Sequence, residues 1–153
     1  MNMSPLASTS SNPVIGALNQ CLADIYGIYA LAQNAHWNVE GPNFGPLHAE
    51  FGGQYEDAGG ATDLIAERIR QLDAYVSVSL TSFDQRAGLL QPQAPQPEKA
   101  WIAALMAAHR KAVAGLKTLE KASATSDLET QNLAIDRVSV HQMTIWRLRS
   151  LLK

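Results

Sequence analysis

The sequence predicts an all-α protein: four long helices in two hairpins, with a long crossover between the hairpins that carries a short extra helix. Three observations predict it. Apolar residues recur at three- and four-residue steps in four separate stretches, and no stretch alternates with period two. Two connections are short, which makes their helices antiparallel neighbours, and one is long. Helix-start signals stand at the heads of these stretches: Asn12-Pro13, Pro46, Pro97-Glu98 and Ser126-Asp127-Leu128-Glu129. At 153 residues the chain is one domain's worth of protein, long enough to bury a core without disulfides.

Taken in order, residues 1–11 are rich in Ser, Thr and Ala and read as a flexible tail, leaving 12–153 as one domain. Asn12 caps helix A and Pro13 takes its first position. Leu18, Cys21, Leu22, Ile25, Tyr29, Ala32 and His36 share one face, and Gly41-Pro42 ends the helix. Helix B runs from about Leu47 to Leu72, with Phe51, Ala58, Ala61, Ile65 and Ile69 on its apolar face. Gly52-Gly53 and Gly59-Gly60 interrupt it, each glycine costing about 1 kcal/mol relative to Ala. They either weaken the helix or mark the close approach of another backbone. Residues 73–97 form the long connection, and Thr81–Gly88 is the short extra helix expected within it. Helix C begins near Pro97-Glu98 and buries Trp101, Leu105, Ala108, Ala112, Leu116 and Leu119. Ser126 through Glu129 reads as a capping box for helix D, whose face continues through Ile135, Val138, Ile145 and Leu148. A long B–C link that lets helix C run back alongside gives the ferritin-like variant of the four-helix bundle.

Composition narrows function. The charged fraction is 17%, below the usual quarter, which implies that part of the surface faces other protein. A net charge of −2 argues against a dedicated nucleic-acid binder. Cys21 stands alone, so there is neither an internal disulfide nor a cysteine-only zinc site, and the chain fits a reducing compartment. No apolar run approaches the ~20 residues needed to cross a bilayer, and the first residues lack the basic and apolar regions of a signal peptide. The expectation is a cytoplasmic protein with no membrane partner.

His36, His48, Asp63 and Glu67 stand out as chemistry-bearing. Imidazole nitrogen with carboxylate oxygen is a mixed ligand set suited to iron, zinc or manganese. Asp63 and Glu67 are four residues apart and share one face of helix B. His36 ends helix A and His48 begins helix B, so the turn between them brings the imidazoles near each other. In a straight helix B, fifteen residues put His48 and Asp63 ~22 Å apart. They meet only across a two-fold axis, where an antiparallel partner helix crosses near Tyr55–Asp57. A plainer reading stands beside this one: Asp63 and Glu67 pair with Arg68 on a solvated face, and the histidines pack or hydrogen-bond.

These residues carry a resemblance. His36-Trp37-Asn38-Val39-Glu40-Gly41-Pro42, with Phe44, Leu47-His48 and Phe51, resembles the signature of the Dps proteins, the mini-ferritins. Asp63-Leu64-Ile65-Ala66-Glu67-Arg68-Ile69 resembles its second half, and residues 141–152 resemble the family's closing helix. The resemblance implies twelve subunits forming a hollow cage. It also implies a ferroxidase centre between two-fold-related subunits, with His36, His48, Asp63 and Glu67 as iron ligands. The implied reaction oxidises Fe(II) with hydrogen peroxide or dioxygen and stores the ferric mineral inside, protecting against oxidative damage.

The chain also departs from the family pattern. The family the chain resembles usually carries an Asp one turn after the second histidine, though some branches lack it; this chain has Gly52 there. Loss of a negative ligand predicts one strong metal position, a weak second one and effective competition by zinc. Glu56, one turn further along, and His141 on helix D are the two residues that would compensate. An alternative follows: a metal-binding cage, zinc-occupied, with little ferroxidase activity. The resemblance places cation pores at the start of helix D, here Asp127 and Glu129. A DNA-compacting role is disfavoured, because the segment before Asn12 has no Lys or Arg and phosphate attraction needs several cations.

Overall fold

A computed structural model describes residues 12–76, 79–88 and 92–153. The expected tail, 1–11, lies outside the described residues. The described residues form five helices in order: α1 (Pro13–Asn38), α2 (Phe44–Gln71), α3 (Leu80–Ala87), α4 (Glu98–Ser123) and α5 (Leu128–Leu151). The described residues hold no strand. α1 packs on α2, α4 and α3, while α5 packs on α4 and touches α2. Leu18, Ile25, Ile28, Phe51, Ile65, Ile69, Trp101, Leu105 and Leu116 are fully buried. Each aliphatic or aromatic side chain of this kind contributes about 1.5–3 kcal/mol by leaving water. Contrary to the expectation that no apolar run approaches a spanning length, α1 is long and apolar enough to cross a bilayer by length and composition. Its apolar residues lie in the bundle core, which is why it is so apolar.

α1 starts as expected: the Asn12 side chain accepts a hydrogen bond from the Val14 amide at 2.9 Å. α2 begins three residues before the expected start, at Phe44. The reason is not local. Glu98, the first residue of α4, accepts hydrogen bonds from the Asn43 amide at 2.9 Å and the Asn43 side chain at 3.0 Å. An amide just ahead of the helix is thus satisfied from across the bundle, and the α1–α2 turn is held in place. Pro46 falls in the first turn, where its missing N–H costs nothing.

The glycines do not break α2. Gly52 and Gly59 face α1: a Cβ at Gly52 would lie 3.2 Å from the His36 ring, and one at Gly59 would lie 3.4 Å from the Tyr29 ring. Gly53 and Gly60 have nothing within 4 Å and point outward. The four glycines thus form two lanes, one packed by aromatic rings and one open.

The short helix is present as α3, one residue earlier than expected at its start, capped by the Ser79 hydroxyl. Lys111 on α4 donates to the carbonyls of Arg86 and Ala87 at its C-terminus, and Gln20 donates to the carbonyl of Arg86 at 3.0 Å. A cation thus satisfies carbonyls that a helix end leaves without partners. The same Lys111 pairs with Asp24 at 3.2 Å. Nearby Cys21 is buried, and desolvation, with Asp24 adding to it, pushes its thiol up to about 12, so it stays protonated.

The capping box of the last helix is corrected. Asp127, not Ser126, is the N-cap, and it accepts from the amide and hydroxyl of Thr130 at 3.0 and 2.6 Å. Arg68 also donates to the Asp127 carboxylate at 2.7 Å. Burial works against its charge, but Thr130 and Arg68 outweigh that and hold the carboxyl below its ordinary range.

Candidate metal centre

His36 sits in the last turn of α1 and His48 in the second turn of α2. Their rings stack with centroids 3.7 Å apart and planes 19° from parallel. Each binds the other's backbone: His36 Nδ1 lies 2.7 Å from the His48 carbonyl oxygen, and His48 Nδ1 lies 2.8 Å from that of His36. A carbonyl only accepts, so each Nδ1 carries the hydrogen, and in the neutral ring the lone pair is on Nε2. This is the pattern in which a second partner fixes the tautomer of a metal-binding histidine. Phe44 flanks His48 with centroids 5.0 Å apart, and Tyr55 meets His36 edge-on at 5.3 Å. Trp37, beside His36 in sequence, is 69% exposed.

Asp63 and Glu67 are exposed, one turn apart on α2. Because α2 is continuous, fifteen residues of helix put Asp63 ~22 Å along the axis from His48. Among the described residues no three ligating side chains converge. The chain therefore presents two separate halves, a histidine pair where the end of α1 meets the start of α2 and a carboxylate pair further along α2.

Arg68 does not pair with either carboxylate. It turns to Asp127, Thr130 and Gln71, at 2.7, 2.8 and 2.9 Å. Among the described residues neither Asp63 nor Glu67 has an ion-pair partner. The solvated, ion-paired face that the sequence also allowed thus loses its cation. Glu56 is exposed on the same helix. Gly52 lies against His36 and offers no ligand.

His141 is placed elsewhere. It is buried on α5, its Nδ1 2.8 Å from Nδ1 of His109 on α4. His109 Nε2 lies 3.1 Å from the side-chain oxygen of Gln54, whose nitrogen donates to Glu50 at 3.0 Å. Arg137 approaches His141 Nε2 at 3.5 Å and forks onto Asp57 at 2.9 and 2.5 Å. The directions of these bonds follow from one another. His109 Nε2 must donate to Gln54, so its Nδ1 accepts from His141, whose Nε2 then accepts from Arg137. Both rings are neutral in this arrangement. Burial, then the proximity of His141, brings His109 down to about 3. Burial, then Arg137, brings His141 down to about 4. Nothing around His109 in the sequence marks it for a role. The only signal was a second histidine on the following helix, and nothing local says that the two meet.

A family model for the ferritin-like domain matches residues 15–153. A Dps protein from Vibrio cholerae O1, described as a member of a broad superfamily of ferritin-like diiron-carboxylate proteins, superposes with a TM-score of 0.88. The match covers 100% of this chain and 99% of that one at 25% identity. This chain belongs to the Dps family. Relatives by sequence agree. The DNA protection during starvation protein of Brevibacillus brevis is 25% identical over 137 residues, covering 89% of this chain and 92% of that protein. A low temperature-induced protein of Nostoc sp. strain PCC 7120 is 32% identical over 143 residues, covering 92% and 80%. A Dps from Bacillus brevis matches with a TM-score of 0.85 at 25% identity, over 92% of this chain and 95% of that one. The Dps fold here is complete through α3, the short crossover helix that the sequence led us to expect.

Proposed function

We propose that this Dps chain oxidises Fe(II), with hydrogen peroxide as oxidant, and holds the ferric product inside a dodecameric cage. The centres that do so are shared between two-fold-related subunits. The observation that carries this reading is the division of the ligand set along α2. His48, its ring stacked on His36, lies ~22 Å along α2 from Asp63, with Glu67 one turn further on, and among the described residues neither carboxylate has an ion-pair partner. The open lane of Gly53 and Gly60 lies between His48 and Asp63. A second α2 laid antiparallel along that lane brings His48 to the partner subunit's Asp63 and the partner subunit's Glu67. Two such centres form per dimer, since an isologous contact repeats itself.

The substrate iron meets neutral nitrogen from His36 and His48 and negative oxygen from the partner carboxylates. The carboxylates favour Fe(III) over Fe(II), which lowers the cost of giving up the electron. Peroxide takes two electrons and two protons to become two waters, and each Fe(II) supplies one electron. Gly52 contributes no ligand, so one iron per centre is held strongly and the second weakly. Exposed Glu56 lies beyond it on α2, while His141 is occupied with His109 and Arg137. Of the two pore candidates, Glu129 keeps an exposed carboxylate, whereas Asp127 is turned to Arg68 and Thr130. Cation access is therefore assigned to Glu129.

Gly52 also supports a second reading, a zinc-occupied cage with little oxidation. The test is to strip the assembly of metal, add limiting Fe(II) without oxygen, then add peroxide, following ferric absorbance and the iron that co-elutes with the cage. Rapid oxidation with retained iron is expected. No rate above the protein-free control would overturn the ferroxidase reading in favour of the zinc one.

A further inference from the structure

Three tyrosines lie between the two halves of the centre. Tyr55 on α2 meets the His36 ring edge-on, with centroids 5.3 Å apart and planes at 74°. Tyr29 on α1 meets Tyr55 at 6.1 Å and 86°. Tyr26, one turn earlier, lies 5.9 Å from Tyr29. Tyr26 and Asp63 line the same groove between α1, α2 and α3. All three rings are partly buried and packed on the core. Tyr29 reaches α2 because Gly59 leaves room, a Cβ there falling 3.4 Å from its ring. Gln33 donates to the Tyr29 phenol oxygen at 3.1 Å, so the phenol keeps its own proton to release. The aromatic contacts therefore run without a gap from the histidine half to the groove of the carboxylate half.

The geometry points to a tyrosine relay, Tyr55–Tyr29–Tyr26, that carries one electron between the histidine half and the carboxylate half of a subunit. This rests on the shared-centre reading above. In the dimer the two halves of one subunit belong to different centres, so the relay joins the two centres. The chemistry needs such a link. Peroxide accepts two electrons, a single strongly held Fe(II) gives one, and the other strongly held iron sits in the second centre.

The electrons balance in two steps. In the first, peroxide takes one electron from Fe(II) and one from a tyrosine, whose phenol loses its proton and becomes a neutral phenoxyl radical. With one further proton from solvent, the products are Fe(III), the radical and two waters. In the second step, Fe(II) in the other centre returns an electron through the relay. The phenoxyl takes up a proton and is a phenol again, and the second iron is Fe(III).

The test loads the metal-stripped cage anaerobically with one Fe(II) per subunit, adds half an equivalent of peroxide and freezes samples in time for electron paramagnetic resonance. Tyr55→Phe and Tyr29→Phe keep the ring packing and remove the redox-active hydroxyl. Tyr75→Phe, on an exposed ring under Arg70, is the control. The wild type and the control should show a transient tyrosyl signal that decays as the second iron is oxidised. Tyr55→Phe should lose the signal at unchanged iron affinity and thermal stability. In Tyr29→Phe the signal should persist, because its return path is cut. Iron oxidation by the wild type without a radical, or variants with unaltered signal and decay, would overturn the relay and leave the shared centre standing. A wild type that oxidises no iron would overturn both.

Discussion

His36 and His48 each commit one ring nitrogen to the other's backbone carbonyl, and this pairing fixes the orientation of both rings. The residue types and their twelve-residue separation are plain in the sequence. The pairing is not, because the turn between them is held by Glu98, 55 residues beyond Asn43. Gly52 was legible as a missing ligand but not as the floor of the His36 ring. A methyl group there falls at 3.2 Å, tighter than ordinary contact. Two substitutions separate these roles. Gly52→Ala adds bulk without a ligand and should weaken Fe(II) binding, read by calorimetry on the anaerobic cage. Gly52→Asp adds the same bulk with a carboxylate, and should bind a second iron per centre and oxidise faster than Gly52→Ala. Equal rates for the two variants would mean that another group already fills the carboxylate's role.

At the level of elements, the four long helices and the short crossover helix follow from apolar periodicity, while their junctions follow from tertiary contacts. α2 starts at Phe44 because Glu98 reaches across, and α5 is capped by Asp127 because Arg68 and Thr130 gather there. The chain from Glu50 through Gln54, His109 and His141 to Arg137 and Asp57 could not be read from any one helix, since it exists only where α2, α4 and α5 meet. It carries an acid liability. His109 and His141 titrate near 6.5 in the unfolded chain and at about 3 and about 4 in the fold. Below 6.5 the unfolded state therefore binds protons that the folded state refuses. Stability is full above that pH and falls as pH drops toward 4 and then 3. Asp57, held below its ordinary 3.8 chiefly by Arg137, loses its contribution in the acid end of the same range. His109→Gln keeps a donor and an acceptor without the titration. Its denaturation midpoint should fall less steeply between pH 6.5 and 4 than that of the wild type; an identical slope would remove His109 as a cause.

For the whole molecule, the separation of His48 from Asp63 was legible as arithmetic on one helix, and an unbroken α2 upholds it. The open glycine lane was legible only as four glycines, because which two face α1 depends on how α1 packs. Gly60→Leu replaces open space with a large side chain and improves helix propensity by about 1 kcal/mol. The lone subunit should therefore keep its fold, while sedimentation shows loss of the large assembly and calorimetry shows loss of tight metal binding. An intact cage in this variant would place the subunit contact elsewhere. The shared centre itself is tested most directly by complementation. His48→Ala and Asp63→Ala each disable both centres of a homodimer. In a mixed dimer, the intact histidines of one subunit face the intact carboxylates of the other, so one of the two centres is rebuilt. Either variant alone should lose tight Fe(II) binding, and subunits co-assembled at equal ratio should recover about a quarter of the wild-type sites under random two-fold pairing. No recovery on mixing, or wild-type binding by Asp63→Ala alone, would contradict a centre built from two subunits.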